Sequence, residues 1–97
     1  MNQTIVSAIS GLKVLSLSYD GVARKVEPHA YGVSTAGHDV LRCYQIAGAH
    51  RSGKPHDWEL LTVSKISALA LTGDSFSGPR PGYKRGDKGM TRIYVEL

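Results

Sequence analysis

With 97 residues, 41% of them hydrophobic and 21% charged, the chain has room for one small globular domain with one modest core, and this composition excludes a disordered tail. Twelve Lys and Arg against eight Asp and Glu leave a formal charge of +4, a field that favours polyanionic partners. A single cysteine excludes an internal disulfide, no stretch approaches the roughly 18 apolar residues of a membrane span, and residues 1–4 lack the basic start of a signal peptide, so the expected compartment is the cytoplasm.

Ile5, Ala8, Ile9 and Leu12 fall at i, i+3, i+4 and i+7, which predicts one short amphipathic helix over 2–12. Asn2 or Thr4 can cap its start and Gly11 suits its end. A helix this short is marginal alone in water, so its apolar stripe must dock on the rest of the chain. From Lys13 the period drops to two: Leu15, Leu17 and Tyr19 alternate with Ser16 and Ser18 as a half-buried strand. Asp20-Gly21 then predicts a type I′ hairpin turn, because both central residues of that turn need positive φ. The return strand begins at Val22 and passes Arg24 and Val26. Pro28 cannot donate to a ladder and marks a sheet edge, a bend or a bulge.

A turn over 35–38 leads to a strand over 40–47, with Leu41 and Cys43 on one face and Val40, Arg42, Tyr44 and Ile46 on the other. Residues 48–57 read as a polar hairpin loop. Segments 58–63 and 67–71 read as strands joined by a tight corner at Ser64-Lys65-Ile66. Phe76 is an isolated large apolar residue expected to plug the core, and 77–89, with four Gly, two Pro and five charges, is expected to be irregular. A final strand covers 91–97. Several short strands separated by turn signals make a mainly β chain, a small barrel or strongly bent sheet with the helix first. Leu15, Leu17, Leu41, Leu60 and Phe76 are its expected core.

Chemistry-bearing motifs are few. His29, His38, His50 and His56 fall in turns or loops, and no pair has the i, i+4 spacing of a helical zinc site, so no metal is expected. Cys43 reads as a buried, inert thiol in mid-strand. No serine sits in a Gly-x-Ser-x-Gly elbow, and Arg51-Ser52-Gly53-Lys54-Pro55 lacks the first Gly and the Ser/Thr of a phosphate loop. Neither catalysis nor a cofactor is expected.

The basic residues form three groups: Arg24 with Lys25, Arg51 with Lys54, and Arg80, Lys84, Arg85 and Lys88. Arg24 shares a strand face with Val22 and Val26, and Arg42 is flanked by Val40 and Tyr44. An arginine on an apolar face snorkels, pairs with an acid or lines a pocket, and a structural and a ligand-binding role are both open for these two. A ligand-facing Arg42 would be unpaired in the free protein, and Tyr44 beside it would offer a ring to a base. In 77–89, Tyr83 stands among cations, a mixture that suits single-stranded nucleic acid and equally suits a solubilising loop.

Four runs carry a family resemblance: Tyr19-Asp20-Gly21 with Arg24-Lys25-Val26-Glu27-Pro28; Asp39-Val40-Leu41-Arg42-Cys43-Tyr44; Trp58-Glu59-Leu60-Leu61-Thr62-Val63-Ser64-Lys65-Ile66; and Phe76 with Pro79-Arg80-Pro81-Gly82-Tyr83. In order and spacing, over nearly the whole chain, they resemble the WYL domain. The chain departs from that pattern where Asp39 and Val40 replace the family's Trp and Tyr, and where Ser64-Lys65 replaces Asp-Arg. The resemblance implies a small SH3-like or Sm-like barrel of five or six strands with one short N-terminal helix. Residues 1–97 would then form a single stand-alone domain, without the helix-turn-helix that usually accompanies it in bacterial regulators. It also implies a regulatory or accessory domain that binds nucleic acid or a nucleotide through one barrel face. The residues expected there are Arg24, His29, Arg42, Tyr44, Lys65, Arg80 and Tyr83, with Arg24, Arg42 and Lys65 as a shared anion site. The alternative is a protein-interaction module that docks a partner or a second copy through a barrel edge or the helix.

Overall fold

The computed structural model describes residues 1–48 and 57–97. Helix α1 (Gln3–Ser10) precedes six strands: β1 (Lys13–Tyr19), β2 (Val22–Ser34), β3 (Asp39–Gly48), β4 (Trp58–Thr62), β5 (Ile66–Ser75) and β6 (Met90–Glu96). The protein is mainly β, as its alternation predicts. Asn2 caps α1, its Oδ1 accepting from the Ile5 N–H at 3.1 Å, and the helix starts one residue later and ends two earlier than the 2–12 pattern. Asp20 and Gly21 have φ of 51° and 76°, the two positive values that the expected turn needs. The corner between β4 and β5 is a short 3-10 turn, Val63–Lys65.

All six strands pair antiparallel, in the order β4-β3-β2-β1-β5, with β6 also on β2. The 13-residue β2 organises the sheet: β3 runs along one side of it, while β1 takes the first half of the other side and β6 the second half. Gly32 permits the β6 contact, since a Cβ there would run into the Arg92 carbonyl. β4 and β5 do not pair, so the sheet bends like a barrel without closing. Two bulges help to bend it. Ile46 is the extra residue of β3, and His29 is the extra residue of β2 between Pro28↔Cys43 and Ala30↔Arg42. Of the three placements open to Pro28, the bulge is the one adopted.

The inner face of this sheet holds the larger of two buried apolar clusters, and Ala30, Val40 and Met90 form a smaller one on the outer face. Ile5, Ala8 and Ile9 of α1 are buried against Leu15, Leu17, Val26, Tyr31, Leu41 and Leu61. Each large apolar side chain removed from water there contributes roughly 1.5–3 kcal/mol. Leu60, expected in this core, is instead 37% exposed, and Leu61 takes its place at 1%. Two adjacent leucines on one strand must face opposite ways. The register sets Leu61 opposite Leu41 and Leu60 opposite Arg42 on the outer face, where the edge strand β4 leaves it partly uncovered. The expected hairpin loop between β3 and β4, with His50, Arg51, Lys54 and His56, lies outside the described residues. Among the described residues no helix is long and apolar enough to cross a membrane.

Candidate functional site

Alternation along β3 turns Val40, Arg42 and Tyr44 away from α1, and the pairs Glu27↔Tyr44, Ala30↔Arg42 and Tyr44↔Trp58 gather their neighbours on that outer face. The β2 bulge adds His29 to it. The His29 ring meets Trp58 at 4.8 Å between centroids, Tyr83 at 5.0 Å and Phe76 at 5.6 Å. Segment 76–89, irregular as expected, straps across this face. Two bidentate ion pairs tie it down. Arg80 donates to both Glu27 oxygens at 2.7 and 3.2 Å, and Arg42 donates to both Asp87 oxygens at 2.6 and 3.2 Å. The Arg42 guanidinium holds the Asp87 carboxyl below its usual range.

His29 is the third tie, and it is completely buried. Its Nδ1 lies 2.8 Å from the Glu27 carbonyl, which can only accept, and its Nε2 lies 3.1 Å from the Arg80 N–H, which can only donate. Both bonds therefore fit one species, the neutral ring protonated on Nδ1. Burial lowers the His29 pKa from its ordinary value, with the Arg80 charge acting in the same direction and Glu27 opposing. Protonation would add a buried charge and remove the acceptor for Arg80.

Between Trp58 and the second half of the strap lies a cleft of about 390 Å³. Its rings are Trp58 and Tyr83, stacked at 6.0 Å with 27° between their planes. Its charges are Arg42, Lys84, Arg85 and Lys88 against one acid, Asp87. Arg85 reaches Glu96 at 3.3 Å, but its side chain is 73% exposed and the pair contributes little. Among the described residues Lys84 and Lys88 have no ion-pair partner. A cleft with ring surface and unneutralised lysines can stack a planar ligand while holding an anion beside it.

The expected site residues divide between two places. His29, Arg42, Tyr44, Arg80 and Tyr83 come together on the outer face. Arg24 does not: it is 7% exposed on the inner face, donating to Gln45 Oε1 at 3.2 Å and lying over the Tyr19 ring, with its Nε buried and unpartnered. Lys65 is exposed on the 3-10 turn. Arg24 and Arg42 point to opposite faces of the sheet, so the shared anion site of Arg24, Arg42 and Lys65 does not form. The reason is parity. Arg24 sits opposite Leu17, whereas the β2 bulge carries the chain on so that Arg42 sits opposite Ala30. Nor is Arg42 free in the unbound protein, since Asp87 holds it. One face of the Tyr44 ring is already covered by the Arg80 guanidinium, 4.5 Å from its centroid.

Three residues of the site escape a reading of the sequence: Glu27, Trp58 and Asp87. Alternation past Arg24 and Val26 does carry a signal for Glu27, since it sets that residue on the opposite face from them. Trp58 opens a strand that reads equally well either way round, and nothing local links Asp87 to Arg42. Cys43 is fully buried, and burial pushes its thiol far above its ordinary value, so it is unreactive. Comparison of the chain with family models, with curated proteins and with solved structures finds no match.

Proposed function

We propose that this chain is a non-catalytic binding domain for single-stranded nucleic acid, working as a regulatory or accessory module through the cleft between Trp58 and residues 82–88. The observation that carries the reading is the meeting of two aromatic rings and four cations in that one cleft. Every base has a π-face, and stacking on such rings contributes about 1–3 kcal/mol per base without demanding a sequence. Lys84 and Lys88 supply the phosphate contacts, whose strength comes from counterion release. Arg80, Glu27 and His29 are not contacts in this reading; they hold the strap that presents Tyr83 and the lysines. The resemblance to WYL domains supports the same class of ligand.

Fluorescence anisotropy with a short labelled single-stranded RNA, the matching DNA and a mononucleotide, each at two salt concentrations, tests the reading. Lys84→Gln with Lys88→Gln leaves the fold intact, because both side chains are exposed. Losing two phosphate contacts should flatten the log–log salt dependence by about 1.4. A parent protein that binds none of the three probes at low salt refutes the reading.

A second reading, a protein-interaction module, has one observation in its favour. Among the described residues the ten-residue β5 is an edge strand that pairs only with β1, and it carries Leu71 at 51% exposure. The helix offers no such surface, since Ile5, Ala8 and Ile9 are buried. Concentration-dependent association that Leu71→Lys abolishes would favour this reading.

A further inference from the structure

Arg42 presents Nε and one terminal nitrogen to the two oxygens of Asp87, and both residues line the cleft. A carboxylate and a phosphate offer an arginine fork the same thing, two acceptor oxygens sharing negative charge in one plane with the guanidinium. We infer that Asp87 is an internal stand-in for phosphate, closing the Arg42 fork in the free protein and giving it up when a ligand phosphate enters the cleft. This rests on the phosphate-bearing ligand proposed above and names what regulates that site.

The surroundings suit an exchange. The Arg42 side chain is 27% exposed, so its fork can be reached from the cleft, and Lys84 and Lys88 stand beside it. An incoming phosphate meets three cations, two of them without a competing acid. Asp87 is not left bare when it lets go, because its Oδ1 also accepts from the Gly89 N–H at 2.8 Å. Exchange therefore moves one side chain in an irregular segment, while Glu27–Arg80 and His29 keep the other half of the strap in place. The carboxylate and the phosphate cannot share the fork, since like charges at that range repel strongly. Asp87 thus sets a threshold that a weak or singly contacting anion does not pass.

The test uses inorganic phosphate as the probe and the Arg42 Nε–H resonance as the reporter, on four proteins: the parent, Asp87→Asn, Asp20→Asn, and Arg42→Gln with Asp87→Asn. Asn at 87 keeps the oxygen that serves Gly89 and removes the charge. Asp20 is exposed in the β1–β2 turn, so Asp20→Asn matches the change in net charge away from the cleft. Asp87→Asn should bind phosphate about fivefold or more tightly than the parent. Asp20→Asn should bind like the parent, and the double variant should lose the gain. Equal affinities for Asp87→Asn and Asp20→Asn, or a gain that survives removal of Arg42, overturns the inference. If Asp87→Asn does not fold, the parent decides: an Arg42 Nε–H resonance that moves with phosphate supports the exchange, and one that stays fixed at saturation overturns it. Oligonucleotide binding is scored separately. Phosphate exchange without oligonucleotide binding leaves this inference standing and sinks only the nucleic-acid reading.

Discussion

On β3, Leu41 and Cys43 are completely buried in the apolar cluster that α1 helps to form, whereas Arg42 and Tyr44, their immediate neighbours, face segment 76–89 across the other side of the sheet. The inner face is held mostly by apolar area removed from water, a term that carries no titrating group and that ionic screening does not weaken. The outer face has a smaller apolar cluster, Ala30, Val40 and Met90, and its strap is tied down by two bidentate ion pairs and a neutral buried histidine, each of which depends on the charge state of its members. One strand thus joins a permanent core to a conditional cover. A ligand or a change of pH can loosen the cover while the core persists.

Truncating adjacent residues of β3 separates the two faces most sharply. Leu41→Ala should cost about 2–5 kcal/mol in urea unfolding, because it opens a cavity in a fully packed core. Arg42→Ala leaves the Asp87 carboxylate poorly exposed and without its guanidinium, and should cost about 1–3 kcal/mol. Equal losses would mean that the strap is as much a part of the cooperative core as α1.

Glu27→Gln should act more weakly, at about 1 kcal/mol, since it retains one acceptor for Arg80 and that side chain is 40% exposed. Hydrogen exchange locates the effect. The Arg80 and Tyr83 amides should exchange faster while the Leu41 amide keeps its protection, and a uniform rise across both faces would show that they open as one unit.

The smallest effect is pH dependence. The folded-state pKa of His29 lies below its ordinary 6.5, so the unfolded chain binds the proton more readily. The stability His29 supplies is present above about pH 6.5 and is lost as pH falls from there through its folded-state value. Asp87, held below its ordinary 3.8 by Arg42, loses its contribution only in a lower window, as pH falls beneath that figure. Trp58, the one tryptophan, sits on the outer face against His29, so its fluorescence should respond in the upper window before far-UV circular dichroism does. His29→Gln should remove that early fluorescence change. Coincident transitions in the parent would contradict a separately yielding cover.

What the sequence reveals follows the same division. The α1 stripe, the alternation of β1 and the Asp20-Gly21 turn are local patterns, and each can be read within ten residues. The outer face depends on partners far apart in the chain: Arg42 with Asp87 at 45 residues, Arg80 N–H with His29 at 51 and Arg80 with Glu27 at 53. No periodicity encodes such pairs. Pro28 announces an irregularity, yet the consequence that matters, the turning of His29 to the outer face, depends on the pairing of β2 with β3. Leu60-Leu61 shows the same limit at one step, because two identical neighbours give alternation no phase.

Binding of single-stranded nucleic acid in the cleft is tested most directly by a titration of the ¹⁵N-labelled protein with a short single-stranded oligonucleotide, followed by heteronuclear NMR. The Trp58 indole N–H and the amides of residues 82–88 should shift together and saturably, while those of α1 and β1 stay where they are. A titration that moves the β5 edge or α1, or that leaves the Trp58 indole unmoved, would contradict binding in the cleft.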